Sequence, residues 1–287
     1  MTLRDDLDRD DAIRDDLDRE DLDRDDLGHP VPLGRAPERV ISLVPSLTEA
    51  IATSYGDRPH PLIGATDWCT HPADLDVPRF GGTKNPAVEA IVAAAPDLVV
   101  ANEEENKPEH VAALRDAGVP VWVTDIRDVP TALASLGRLL EVLAAPVRGW
   151  YDDAVAAWAD PEPVARGSRI TALVPIWRRP WMALGRDTYA GDVLDRIGVD
   201  HVLADHAERY PRIDPAQVAE STPYEVVLLP DEPYRFTTHD GPEAFDVPAA
   251  LIDGRALTWY GPAMTAAPQI LRDAIRAVLA RGGRGWR

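Results

Sequence analysis

The sequence has one cysteine, three phenylalanines, and 30 basic residues against 49 acidic ones. A lone Cys69 excludes an intramolecular disulfide framework and any cysteine-cluster zinc site. The formal net charge of −19 argues against nucleic acid as a partner, because binding it takes a basic face that replaces counterions. It also disfavours an anionic membrane surface. No stretch reaches the roughly 18 consecutive apolar residues of a membrane span, so no membrane insertion is expected. The N-terminus is acidic and has no apolar run, which is not the pattern of a secretory signal. As written, the chain is expected to be soluble and cytoplasmic. Also missing are a GxSxG elbow, a GxxxxGK[ST] loop, a GxGxxG turn after a strand and an HExxH helix. With no nucleophile, base or metal constellation, the chain is read as a binding protein and not an enzyme.

The first feature present is a repeat. Arg4, Arg9, Arg14, Arg19 and Arg24 are evenly spaced, and Leu7, Leu17, Leu22 and Leu27 hold the same place in four of the five units. A five-residue step turns a helix by about 140°, so the leucines make no apolar stripe. An odd period breaks strand alternation as well. Low hydrophobicity with high charge predicts a disordered acidic tail over residues 1–36.

After Pro37 the pattern changes. Residues 39–43 (RVISL), 61–65 (PLIGA), 97–101 (DLVVA) and 120–123 (PVWV) read as short buried strands. Between them lie helical stretches, the first with Ser46 as N-cap and Glu49 completing a capping box, the second over 86–95 with Asn85 as cap. Strands alternating with helices at this spacing predict parallel βαβ units. Residues 130–143 and 146–159 are then helical with no strand between them, which suggests a helix joining two lobes. The alternation restarts with a strand at 169–177, a hairpin partner at 181–184, a helix at 189–197, and a helix capped by Asp214 with Pro215 behind it. A strand at 225–229, a short one at 249–252 and a terminal helix over 265–280 complete it. The expected organisation is an acidic tail (1–36), an N-terminal α/β lobe (37–144), a bridging helix (145–166) and a C-terminal α/β lobe (167–287).

These residues carry a family resemblance. RVISLVPSLTEAI (39–51), IGATDWCTHP (63–72) and above all VEAIVAAAPDLVVA (88–101) resemble the class III periplasmic binding proteins. That group includes the vitamin B12, iron-siderophore and haem receptors of ABC importers. The resemblance implies two Rossmann-like lobes with parallel sheets joined by one long helix. It also implies a metal-chelate ligand, a corrinoid before a siderophore or haem, that brings its own cobalt or iron so that no intrinsic cofactor is needed. An ABC permease partner, a monomeric state and the cell envelope are implied as well, and the last conflicts with the missing signal. A cytosolic binder of the same ligand class, acting in salvage or sensing, is the alternative; an enzyme on this scaffold is a third.

The resemblance also nominates site residues. Trp68, Gly82, Thr83 and Asn102 in the first lobe, and Trp177, Trp181, Tyr210, Trp259 and Tyr260 in the second, fall on or beside ligand-facing loop positions, although the family has an aromatic where Asn102 stands. Eight tryptophans beside three phenylalanines suit a flat ligand held between aromatic walls; the competing reading places each ring in the core. Cys69 and His71 are either axial ligands for a bound metal or an ordinary loop pair. Glu89 matches one permease-docking position. The second falls on Ala216, with Glu220 or Asp214 as a substitute. Arg178, Arg179 and Arg186 are candidates to meet a carboxylate or phosphate.

Overall fold

The computed structural model describes residues 22–159 and 169–281. Expectations for residues 1–21, for 160–168 and for the last six residues therefore lie outside the described residues. The chain divides into two compact units. Of the described residues, one unit takes those up to Asp125 and Ala134–Arg148; the other takes Ile126–Leu133 and those from Gly149 onward.

In the first unit, β1 (Val40–Ser42), β2 (Leu62–Ala65), β5 (Leu98–Asn102) and β6 (Val121–Thr124) form one sheet in the order β2-β1-β5-β6. All of its pairings are parallel. The strands read as unbroken apolar runs because both faces are covered. Ile41, Val99, Ala101, Val121 and Val123 pack with Ile91 of helix α2 (Val88–Ala93) and with Val111 and Leu114 of α3 (Pro108–Asp116). Helix α1 (Pro45–Thr53) follows β1, and the small β3 (Gly81–Gly82) and β4 (Asn85–Pro86) make a hairpin.

Helix α4 (Val129–Val142) starts among residues of the second unit and ends among those of the first. Helix α5 (Gly149–Trp158) opens the second unit proper. There β7 (Ile170–Leu173), β10 (Val199–His201), β11 (Val226–Pro230) and β12 (Ala249–Ile252) form a second parallel sheet, ordered β10-β7-β11-β12. β8 (Pro175–Trp177) and β9 (Met182–Ala183) are the expected hairpin. Helices α6 (Tyr189–Arg196), α7 (Pro215–Ser221), α8 (Gly254–Thr258) and α9 (Ala267–Arg281) complete the unit.

Several boundaries differ from the sequence reading. Helix α1 starts at Pro45 with Val44 as N-cap and no side-chain cap, and Ser46 is buried one position inside. A proline at N1 sets the start, so the serine is not needed as a cap. Asn85 is likewise no cap: it sits in β4, α2 begins at Val88, and the Asn85 Oδ1 accepts instead from Lys107 Nζ at 2.9 Å. Asp214 does cap α7, its Oδ1 accepting from the Ala216 amide at 3.0 Å. Strand β10 was unread because Val-Asp-His alternates at a sheet edge without a hydrophobic run. The expected bridging helix over 145–166 is not helical at residues 145–148, and the helix shared between the two units is α4.

The largest difference is in the repeat. Its fifth unit and the residues after it belong to the first unit. Asp25 and Val31 are fully buried. Asp25 Oδ2 accepts from Arg115 Nη2 at 2.5 Å, and its Oδ1 accepts from the Leu27 and His29 amides. Asp26 Oδ1 accepts from Arg138 Nη1 at 2.8 Å, and its Oδ2 accepts from Ser135 Oγ and from the Asp125 amide. The Asp26 amide donates to Val123 O at 3.1 Å, so this segment covers the outer edge of β6. An uncovered edge strand exposes a row of unpaired amides and carbonyls. The Asp25→Ala variant is expected to destabilise the chain by about 1–3 kcal/mol, since Arg115 loses a buried acceptor. Leu27→Ala, at a side chain left 41% exposed, leaves stability unchanged. Thermal melts followed by circular dichroism check both; equal melting of Asp25→Ala and the parent would contradict the edge-cover role.

Candidate functional site

Because the strands of each sheet run parallel, the loops after them gather at the C-terminal edge of that sheet, where open α/β sheets bind ligands. In the first unit this rim is built around Trp68, in the loop after β2. Its indole is 65% exposed. Arg79 shapes the loop from within, donating to the carbonyls of Thr66, Cys69 and Leu75. The Asp67 amide donates to Gly81 O at 2.9 Å, tying the loop to the β3–β4 hairpin. A Cβ on Gly82 would lie 3.3 Å from Trp68 Nε1, so the bare backbone lets the indole lie against the hairpin. Thr83 follows at the hairpin tip, its carbonyl accepting from Asn106 Nδ2 at 2.9 Å. Lys84 donates to Glu104 O, which brings the loop after β5 to the same rim. Burial raises the pKa of the Glu105 carboxyl there, opposed by the Lys84 ammonium.

Asn102 is not part of the open surface. It is 3% exposed. Its Nδ2 donates to Thr124, its Oδ1 caps the Glu104 and Glu105 amides, and its own amide donates to Asn106. This polar side chain folds the loop. Cys69 is buried with its Sγ 3.1 Å from both Thr48 Oγ1 and Thr66 Oγ1, so it offers nothing to a ligand. His71 is half-buried, its Nδ1 3.1 Å from Thr70 Oγ1.

The second unit's rim is aromatic. Trp177 is 42% exposed and meets Tyr234 edge to face at 5.5 Å. Trp181 is half-buried, stacked on Phe236 at 5.9 Å and edge-on to Phe245 at 5.4 Å. Tyr234 and Phe236 touch at 4.7 Å. The β8–β9 hairpin and the loop after β11 thus form one platform of five rings. Arg178 lies over Trp181 and pairs with Asp240 and Glu243, so this guanidinium holds the two loops together. The Tyr234 hydroxyl donates to Asp240 Oδ2 at 2.5 Å. That bond raises the tyrosine pKa and, with Arg178 and Arg179, lowers the aspartate's. Tyr210 is half-buried beside the hairpin, where the Ala183 amide donates to Pro211 O and the Ile213 amide donates to Trp181 O. Tyr234, Phe236 and Phe245 were missed by the sequence reading. Two of them lie in the stretch DEPYRF (231–236) that follows β11.

Trp259 and Tyr260 stand apart from this platform. They are 8% and 7% exposed. Trp259 Nε1 donates to Glu232 Oε2 at 2.9 Å beneath Arg255, and Tyr260 packs edge to face on Tyr189 at 5.7 Å. Both are core; Glu232, beneath the indole, is half-buried, and that burial raises its pKa. Asp231 is likewise engaged, accepting from the Gly254 amide. Among the described residues no cluster of three or more His, Cys, Asp or Glu side chains is placed to hold a metal ion, and no helix is long and apolar enough to cross a membrane.

No family model matches the chain. Curated relatives do. A vitamin B12-binding protein of Vibrio cholerae is 25% identical over 197 residues, covering 65% of this chain and 68% of the relative. One of Pectobacterium carotovorum is 21% identical over 251 residues, covering 84% and 90%. Among solved structures, the periplasmic haem-binding protein of Roseiflexus sp. RS-1 superposes with a TM-score of 0.67 at 22% identity, over 84% of this chain and 99% of that one. The periplasmic vitamin B12-binding protein of Vibrio cholerae gives 0.67 at 17%, over 84% and 98%. The chain has the fold of the class III periplasmic binding proteins. The architecture and the family resemblance read from the sequence both stand.

The two nominated docking glutamates are exposed, Glu89 in the first turn of α2 and Glu220 in α7. Ala216, one turn before Glu220, is exposed too. A polar recess of about 520 Å³ also opens within the second unit, lined by Arg186, Thr188, Gly191, Asp205 and His201 among others. His201 is buried, and burial lowers its pKa below the usual 6.5 against the pull of Asp195, Asp205 and Asp200. A lowered folded-state value means its stabilising contribution is present above about pH 6.5 and is lost as pH falls through the folded value. Melting temperature is therefore expected to drop between about pH 7.5 and 5, and His201→Asn to flatten that part of the curve. An unchanged slope in the variant would remove His201 as its source.

Proposed function

We propose that this chain is the substrate-binding protein for a metal chelate, a corrinoid first, with haem and ferric siderophores as the other members of the class, and that it delivers the chelate to an ABC importer. The observation that carries the reading is the set of relatives named vitamin B12-binding protein, aligned over most of the chain. The rims support it. Exposed indoles at Trp68 and Trp177, each backed by a rigid loop, are apolar plates of the kind a planar macrocycle buries itself against. A ring whose loop is fixed in advance by Arg79, or that packs on Tyr234, loses little freedom when ligand arrives, so more of the contact energy appears as affinity. The chelate brings its own metal, and no bond of it is made or broken by the chain. Arg179, whose side chain is 73% exposed, and Lys84 are the cations offered to acidic groups on the ligand's periphery.

Titration of the purified protein with cobalamin, cobinamide, haem and a ferric siderophore, followed by tryptophan fluorescence, tests the reading. Saturable quenching by at least one is expected, and no response to any of them would overturn it. Trp68→Ala and Trp177→Ala are each expected to weaken that ligand about 10- to 100-fold, about 1.4–2.8 kcal/mol. Trp259→Phe is expected to lower the melting temperature and leave the dissociation constant unchanged, because that ring serves the core.

A further inference from the structure

Only two of the 30 basic residues are lysines, Lys84 and Lys107, and both belong to the first unit. They grip the β3–β4 hairpin. Its ladder is two residues long on each side, too short to hold itself, since even a full two-stranded hairpin is marginal in water. The loop after β5 holds it instead, through three consecutive residues at its tip. Thr83 O accepts from Asn106 Nδ2 at 2.9 Å, Lys84 Nζ donates to Glu104 O, and Asn85 Oδ1 accepts from Lys107 Nζ at 2.9 Å. Each lysine bond runs to a single oxygen, which a compact ammonium on a flexible stem can reach without the fork of a guanidinium. At its base the hairpin seats Trp68. Gly81 O accepts from the Asp67 amide, and Gly82 is so close to the indole that a Cβ would lie 3.3 Å from Nε1.

We propose that Lys84 and Lys107 are positioning residues for the ligand plate at Trp68: they clasp the hairpin to the loop after β5, and the clasped hairpin holds the indole in place. An indole left 65% exposed has few neighbours to fix it, so the seat at Gly82 decides how much freedom it still has to lose when ligand arrives. Where affinity is concerned, this role rests on the metal-chelate reading above; the placing of the indole does not. Lys84 is exposed and Lys107 half-buried, so replacing them leaves the core intact. Asn106, the third member of the clasp, is buried and also accepts from the Asn102 amide, so a change there would disturb the loop itself.

Fluorine NMR of the full chain carrying fluorotryptophan, with the Trp68 resonance assigned through Trp68→Phe, tests the placing without any ligand. Lys84→Met/Lys107→Met is expected to shift or broaden the Trp68 resonance and to leave the other indole resonances where they are. An unmoved Trp68 resonance would overturn the proposal. Should every indole resonance move together, the pair has disturbed the fold, and Lys84→Met alone gives the comparison. Affinity is then read with whichever of cobalamin, cobinamide, haem or a ferric siderophore quenches the parent. The double variant is expected to bind it about three- to tenfold more weakly, and the same two changes in a Trp68→Ala background to cost less than about twofold. Equal losses in both backgrounds would also overturn the positioning role, since the ammoniums would then meet the ligand themselves. A parent silent toward every chelate removes the metal-chelate reading, and the fluorine comparison alone then decides whether the lysines place the indole.

Discussion

Parallel strand pairing is the constraint from which the rest of each unit follows. A parallel strand cannot turn straight back into its neighbour, so each is followed by a crossover that returns the chain to the starting edge. The crossovers cover the sheet faces, which is why β5 and β11 are buried along their whole length. The same pairing sends every loop after a strand to one edge. Trp68 follows β2, Trp177 and Trp181 follow β7, Tyr234 and Phe236 follow β11, and Tyr210 follows β10. Within each unit the rings lie at one edge of the sheet because its strands share a direction. Packing of the strands fixes where a ligand surface can be; the loop residues decide what it takes.

That division explains what was legible beforehand. Strands such as Leu98–Asn102 and Val226–Pro230 announce themselves as runs of buried aliphatics, and prolines at the first turn mark α1, α3 and α7. These are local signals. The rim depends on pairs distant in sequence. Trp177 and Trp259 are the same residue type at similar places after strands. One is an open plate because its neighbour is Tyr234; the other is core because Glu232 meets its indole nitrogen and Arg255 covers its face. Arg178 looks like a free cation in Trp-Arg-Arg-Pro-Trp until Asp240 and Glu243 arrive from the loop after β11. Arg79, which shapes the Trp68 loop through three carbonyls, has no sequence mark.

The repeat shows the same limit in the opposite direction. Composition averages over a window, and averaged over residues 4–27 the segment is strongly acidic with only six aliphatic side chains. What distinguishes the last unit is only its sequel, a glycine able to turn and a valine to bury. Its two carboxylates are not a solvated face, because Arg115 and Arg138 supply opposite charge at an edge whose amides also need acceptors. For Asp26, burial raises the pKa while Ser135, the Asp125 amide and Arg138 pull it down. An aspartate therefore belongs to the solvent or to the fold according to whether unfilled donors lie within reach. In this chain the outermost strand of a parallel sheet, left with half its backbone groups unpaired, is what provides them.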